Sequence, residues 1–334
     1  MSEKTIAQIL RERCEAQLSP YAFRESTSRG REIPLPPSEV RNEYQRDRDR
    51  IIHSKAFRRL MHKTQVFLAP EVEHYRTRLT HTLEVTQIAR TIARALCLNE
   101  DLCEAASLGH DLGHTPFGHI GEKALRRYCL PEFTHYDQSL RVVDKLERLN
   151  LTYEVRDGIV NHQGDHLAET LEGRVVKFAD RIAYINHDID DAVRATLISE
   201  SDIPEKLHKI LGANHSARIN TMVTSVIRAS EGKNDIAMES EIKAATDELR
   251  EFLFERVYYS PHVLSEEERA AALIVRLFEH YVKHPDEMPK SYREMCEAEP
   301  VERIVTDFIS GMTDRHAIDV YEQLFIPNTW SGIK

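Results

Sequence analysis

Between residues 109 and 122 the chain reads GHDLGHTPFGHIGE, which places His110, Asp111, His114, His119 and Glu122 in one short stretch broken by Gly and Pro. Imidazole nitrogens and carboxylate oxygens at that density suit two kinds of chemistry: holding a cation, or moving protons beside one. A solvated loop has no use for them, and an apolar core would be destabilised by every polar group left without a partner. His119 and Glu122 are three residues apart, so on a helix they share a face, where the carboxylate can orient the imidazole and tune its pKa. His110 and Asp111 are adjacent, and adjacent helical side chains diverge by about 100°. At a distorted helix terminus both can still turn toward one ion, which then needs ligands from elsewhere. His81 and Asp180 are candidates. Two imidazoles and two carboxylates suit Mn²⁺, Fe²⁺, Mg²⁺, Ni²⁺ or Zn²⁺, and lack the thiolates that favour a closed structural zinc site. Taken singly, a His at a helix end is more often a cap or core residue, and a helical Asp more often solvated.

Helices must position these groups, because helical periodicity runs through almost the whole chain with little strand alternation. In residues 81–96 Leu83, Val85, Ile88, Ile92 and Leu96 form an apolar stripe. The next helix ends near His110, with Asn99 as its N-cap. A third starts near His119 and runs through Leu125, a fourth spans 134–149, and residues 172–197 read as one long helix. There Asp180, Tyr184 and Asp188 fall at i, i+4 and i+8, on one face. Further helices are expected at 237–259, at 265–283 with a capping box from Ser265 to Glu268, and at 301–326. Residues 30–37 and 283–291 read as connecting loops. The expectation is an all-α protein with one compact domain, a metal-binding core over 75–198 and a C-terminal helical extension over 199–334 packed onto it.

At 334 residues, 30% of them charged and 41% hydrophobic, the chain is long enough for a substantial core and polar enough to be an ordinary globular protein. Its N-terminal segment carries charges throughout, and no apolar run approaches membrane-spanning length, so a cytoplasmic protein with no membrane partner is expected. Five widely spaced cysteines without a C-x-x-C pair suggest reduced thiols. A net charge of −10 argues against broad coating of nucleic acid. Within that acidic chain, residues 46–63 carry Arg46, Arg48, Arg50, Lys55, Arg58, Arg59 and Lys63 against Asp47 and Asp49. Such a surface suits a compact polyanion such as a triphosphate, or equally a solvated helix face with intrahelical ion pairs.

A histidine, a His-Asp pair and a later aspartate, all on predicted helices, resemble the H…HD…D pattern of the HD-domain metal-dependent phosphohydrolases. Further stretches narrow the likeness: HSKAFRRLMHKTQV (53–66), RTRLTHTLEV (76–85), HDLGHTPFGHIGE (110–122), FTHYDQSLR (133–141) and ADRIAYINHDIDDAVRA (179–195). Together they resemble the deoxynucleoside triphosphate triphosphohydrolases of the dGTPase-like group, with weaker similarity through DFISGMTDRHAIDVY toward the C-terminus. The resemblance implies an HD helical bundle and cleavage of a dNTP to deoxynucleoside and inorganic triphosphate. It implies one divalent metal ion on His81, His110, Asp111 and Asp180, a catalytic His119–Glu122 dyad, and a second active-site histidine at His135. It further implies phosphate contacts from Arg78 and Arg181, sugar contacts from Gln65, Tyr184 and Asp188, and His114 in the lining. A homo-oligomer and an allosteric dNTP activator are implied as well.

Two other readings stand beside it. Another HD phosphohydrolase, such as a nucleotidase, a cyclic-nucleotide phosphodiesterase or a guanosine tetraphosphate hydrolase, would be favoured by a second metal on His114, His119, His135 or His162. A non-catalytic nucleotide- or nucleic-acid-binding regulator would not need the full donor set, and the low aromatic content gives single-strand binding little support.

Overall fold

Polar caps decide where the site-bearing helices begin. The structure, a computed structural model, describes residues 4–65 and 76–327. After α1 (Ile6–Glu15), α2 (Glu43–His53) and α3 (Lys55–Arg59), helix α4 (Arg78–Ala95) opens three residues earlier than its apolar pattern suggests. Thr77 and Thr80 form a reciprocal capping box there. Helix α5 (Glu100–Gly109) opens at Asn99, whose side chain accepts the Leu102 N–H as expected. There follow α6 (Gly118–Tyr128), α7 (His135–Arg141), capped by Thr134, α8 (Tyr153–Val160) and the long α9 (Leu171–Arg194). A wide π turn at Val142–Leu146 ends the helical run begun by α7.

Helix α4 packs along α9, α5 lies against both, and α8 joins α5 and α9. Val85, Ile88, Ala89 and Ile92 of α4 meet Cys103 and Ala106 of α5 and Val175, Val176, Ala179, Ile182 and Ala183 of α9, all buried. Leu83 does not join them, being 51% exposed. The buried face of α4 is set by residues 81, 85, 88 and 92, and two residues beyond His81 the helix has turned about 200°.

Beyond α9, helices α10 (Glu205–Leu211), α11 (His215–Ser230) and α12 (Ser240–Leu253) extend this core through Leu207, Leu211, Met222, Val226 and Leu249. Helices α13 (Pro261–Lys283), α14 (Lys290–Met295), α15 (Val301–Ser310) and α16 (Asp314–Phe325) build a second core instead. It unites Phe117, Ile120, Leu125 and Phe133 with Ile274, Leu277, Ile304, Val305 and Ile309. Between the two regions Asp307 lies fully buried, accepting from Arg141 at 2.6 Å, Arg303 at 2.7 Å and the Gln138 side-chain amide at 2.9 Å.

Two expected boundaries are corrected. Helix α13 starts at Pro261, a residue pre-organised for the first helical position, so Ser265 and Glu268 lie inside it and form no cap. The segment 301–326 is two helices, because α15 ends at Gly311 and Thr313 caps a new helix by accepting the His316 N–H. Part of the basic segment is paired within the fold: Arg46 with Glu43, Arg48 with Asp49 and Glu104, and Arg59 with Glu147, while Arg50 donates to the Leu149 carbonyl. All five cysteines are free, and no described helix is long and apolar enough to cross a membrane.

Candidate active site

His81 stands on the second turn of α4, His110 caps the C-terminus of α5 with Asp111 just beyond it, and Asp180 lies mid-way along α9. Packing of these three helices brings the four side chains together. His81 Nε2 lies 3.1 Å from Asp180 Oδ1 and 4.0 Å from Asp111 Oδ2. His110 Nε2 lies 3.6 Å from Asp111 Oδ1 and 3.8 Å from Asp180 Oδ1. Such spacings suit donors sharing one ion with bonds of about 2.0–2.2 Å. The tautomer of His110 fits: its Nδ1 is 2.6 Å from the Ser107 carbonyl, which can only accept, so Nε2 carries the lone pair. That Nε2 is buried without a hydrogen-bond partner among the described residues, as an atom that serves as a metal ligand would be.

Electrostatics favours anionic carboxylates here. Burial alone would raise the Asp111 pKa, but the His110 imidazole and the Arg78 guanidinium, whose Nη1 donates to Oδ2 at 2.9 Å, hold it well below the carboxylate range. Asp180 is likewise held down against burial by its contact with His81 and by the neighbouring His110. On its other nitrogen, His81 lies 3.5 Å from Nδ1 of His187, a buried residue whose Nε2 reaches Glu84 at 3.1 Å.

Beside this group stands a second cluster. Phe117 and Gly118 both adopt left-handed conformations, turning the chain so that His119 enters α6 at its start. Glu122, nearly buried, receives three partners: His119 Nδ1 at 3.4 Å, His135 Nδ1 at 2.9 Å and Arg126 Nη2 at 2.7 Å. The closer imidazole is thus His135, which also donates its backbone N–H to Glu122 Oε1 at 3.2 Å. Burial would depress the His135 pKa, but the charge of Glu122 raises it above the ordinary imidazole value, and Glu122 is correspondingly held far down. His135 Nε2 then meets His162 Nε2 at 3.2 Å; His162 is anchored by Nδ1 on the Ile159 carbonyl at 2.7 Å and is pushed down to about 3, chiefly by burial. His114 stacks on His135 with ring centroids 4.7 Å apart, and neither of its nitrogens has a partner among the described residues. His119, by contrast, is exposed.

Along α9, Tyr184 is partly buried and Asp188 receives a hydrogen bond from the Tyr258 hydroxyl, delivered by the π turn Phe254–Tyr258 after α12. Burial pushes Asp188 up to about 7, and its Oδ1 is without a partner among the described residues. Gln65 Oε1 is similarly buried and unpaired, while the Gln65 carbonyl accepts from Arg78 at 3.3 Å. Arg181 lies apart from these: it pairs with Asp247 of α12. Clefts exist elsewhere, for example where α1 meets α4 and α5, but Arg11 there pairs with Glu25 and Arg94 with Glu100. The convergence of unpaired buried polar atoms marks the histidine cluster as the site.

In the sequence His162 reads only as a possible ligand of a second metal, and Tyr258 and Glu84 carry no local signal. The spacing of His187 and Asp188 from Asp180 does place them along α9, which is the one clue periodicity offered.

Comparison with known proteins shows the family of the chain. Residues 78–185 match the HD domain family, and residues 236–323 match the phosphohydrolase-associated domain. A deoxyguanosinetriphosphate triphosphohydrolase-like protein of Caldanaerobacter subterraneus subsp. tengcongensis is 54% identical over 94% of this chain and 94% of its own length. One of the same description from Desulfatibacillum aliphaticivorans is 47% identical over 93% of this chain and 95% of its own. In fold, the chain is similar to a phosphohydrolase from Bacteroides thetaiotaomicron, with a TM-score of 0.55 and 16% identity, covering 88% of this chain and 71% of that one.

Proposed function

This chain belongs to the HD-domain, deoxyguanosinetriphosphate triphosphohydrolase-like family of phosphohydrolases, and from that premise we propose that it hydrolyses deoxynucleoside triphosphates to deoxynucleoside and intact inorganic triphosphate. The observation that carries the reading is the juxtaposition of four donor residues, with nitrogen–oxygen pairs 3.1–4.0 Å apart, and a carboxylate holding two imidazoles. His81, His110, Asp111 and Asp180 would hold a divalent cation, which when bound supplies charge and Lewis acidity toward the α-phosphate. Asp111 and Asp180 offset that charge, and Arg78 contributes a further cation on the Asp111 side.

Hydrolysis at the α-phosphorus forms one bond from a water oxygen and breaks the bond to the 5′ oxygen. One proton must leave the water and one must reach the departing oxygen. His119, exposed and tethered to Glu122, serves as the proton-transfer residue at the open edge. His135, whose pKa Glu122 raises and which is backed by His162, either stabilises the phosphate or returns the proton. Tyr184, Asp188 and Gln65 would contact the sugar, with His114 lining the site. Because Arg181 already pairs with Asp247, its phosphate contact requires that pair to open.

Anion-exchange analysis of products from the metal-reconstituted protein with each dNTP, singly and mixed, tests this reading. Deoxynucleoside plus intact triphosphate, lost in His119→Ala and Asp111→Ala, is the expected outcome. Formation of dNMP and pyrophosphate would overturn it. Turnover only in mixtures would add a nucleotide activator, and the mass of the protein in solution tests the expected homo-oligomer. A second reading has its own observation: His114, His119, Glu122 and His135 bring ligand atoms within 4.8 Å of one another. Two bound metals per chain, falling to one in His135→Ala, would favour a two-metal phosphohydrolase.

A further inference from the structure

The turn that presents His119 is unfavourable by itself. Phe117 (φ 61°) and Gly118 (φ 57°) are consecutive left-handed residues, and an aromatic L-residue resists that conformation. Two ties are local, the Thr115 hydroxyl to the Gly118 carbonyl at 2.8 Å and the Ile120 N–H to the Phe117 carbonyl at 3.2 Å. A further tie comes from far along the chain: the Phe117 N–H donates at 2.9 Å to Oδ1 of Asp314, 197 residues later and the first residue of α16. Asp314 is nearly buried, and its Oδ2 accepts both the Thr64 N–H at 2.9 Å and the Thr64 hydroxyl.

Thr64 belongs to a short segment knitted into the site. The buried Lys63 Nζ donates to the carbonyls of His114 and Ser310, the latter at 2.7 Å. Arg78 donates its N–H to the Lys63 carbonyl at 2.9 Å and its Nε to the Thr64 carbonyl at 3.2 Å, and it reaches Asp111 through Nη1. One carboxylate therefore holds the His119 turn and the segment that seats Arg78 in a fixed relation.

We propose that Asp314 is a positioning residue for the proton-transfer step, setting where His119 stands relative to Asp111 by clamping Phe117 and Thr64 together. This inference rests on the reading of His119 as the proton-transfer residue. It also accounts for the sequence DFISGMTDRHAIDVY, which lies outside the metal-binding motifs: its Ser310 and Asp314 are the two residues that reach back into the site. Asp307, in the same stretch, supplies the contrast. It is equally buried and also joins the two regions, but it touches α7 and not the turn.

The test compares Asp314→Asn, Asp314→Ala, Thr64→Val and Asp307→Ala in the full, metal-loaded chain. In Asp314→Asn the new amide N–H₂ must face a backbone N–H, so one clamp bond is lost without a change of size. The expected result is a fall in kcat of about a hundredfold, as for a misplaced reacting group, with KM and bound metal within about twofold of wild type. The limb of the kcat pH profile that depends on His119 shifts with it, and Thr64→Val lies between. Asp307→Ala lowers the unfolding temperature at least as far while keeping kcat within about threefold of wild type. Unchanged kcat and pH profile in folded Asp314 variants would overturn the inference, as would loss of kcat in Asp307→Ala in step with its stability. A second readout needs no turnover: the His119 ring resonance, identified by its disappearance in His119→Gln, shifts or splits in Asp314→Asn. An unmoved resonance would refute the clamp. Absence of dNTP turnover in the wild type would refute the proposed activity while leaving the resonance to decide on Asp314.

Discussion

Glu122 is the residue on which the acid–base cluster turns, since its two oxygens serve His119, His135 and Arg126. The raised pKa of His135 stabilises the fold fully below the ordinary imidazole value of 6.5, and this contribution is lost as pH rises through the folded value. The lowered pKa of Glu122 acts oppositely, contributing above 4.5 and fading as pH falls through its depressed value. Glu122→Gln should therefore cost about 2 kcal/mol in urea unfolding below pH 6.5, and less well above it. In an NMR titration, an imidazole that titrates above 6.5 in the wild type should move below it in the variant. Asp188 behaves as a raised acid: the folded state retains its proton, so its burial weakens stability as pH rises from 3.8 to about 7. Asp188→Asn should accordingly gain most in thermal unfolding on the alkaline side of that window, and should raise KM less than Asp188→Ala, because the amide oxygen can still accept from Tyr258. At this scale the donor residues were legible from their types and spacing, whereas the stronger tie of Glu122 to His135 was not, since the two are 13 residues apart and separated by a loop.

Between elements, the decisive contact is the loop after α5 against α7. A Cβ on Gly113 would stand 2.1 Å from the Ser139 backbone nitrogen, and the Gly113 N–H donates to the Ser139 hydroxyl at 2.9 Å. That hydroxyl in turn donates to the His110 carbonyl at 2.7 Å, so the glycine lets the helix bearing His135 sit directly against the residues next to the candidate metal ligands. Gly113→Ala should cost about 3 kcal/mol in urea unfolding through this overpacking, and should lower bound metal per chain. Helix positions were largely readable because an apolar stripe and a cap are local features: Asn99 acts as the expected cap, and Thr134 caps the helix expected to begin at it. Boundaries failed where a local signal had a competitor. Ser265 resembled a cap but Pro261 had already opened the helix, and Thr313 started a new helix within an unbroken apolar pattern.

Across the whole molecule, the candidate metal ligands come from α4, α5 and α9, so an ion would bind only the assembled bundle and should stabilise it. Chelation is expected to lower the unfolding temperature, and excess Mn²⁺ to restore it, by about 2.7 kcal/mol at a metal concentration 100 times Kd. His110→Ala should show little of either effect. Helix α15 is tied to α7 through Asp307, and Asp307→Ala, which leaves Arg141 and Arg303 without their buried partner, should cost about 3 kcal/mol in equilibrium unfolding. The sequence by itself determined the all-α class, the sites of most helices, and a set of imidazoles and carboxylates able to share a cation, because periodicity, capping and donor chemistry are properties of neighbouring residues. Only the tertiary structure decided that His162 meets His135 across 27 residues, Tyr258 meets Asp188 across 70, and Asp314 meets Phe117 across 197. Contacts at those separations depend on how whole helices pack, and packing is set by the combined shape of many buried side chains rather than by any short run of residues.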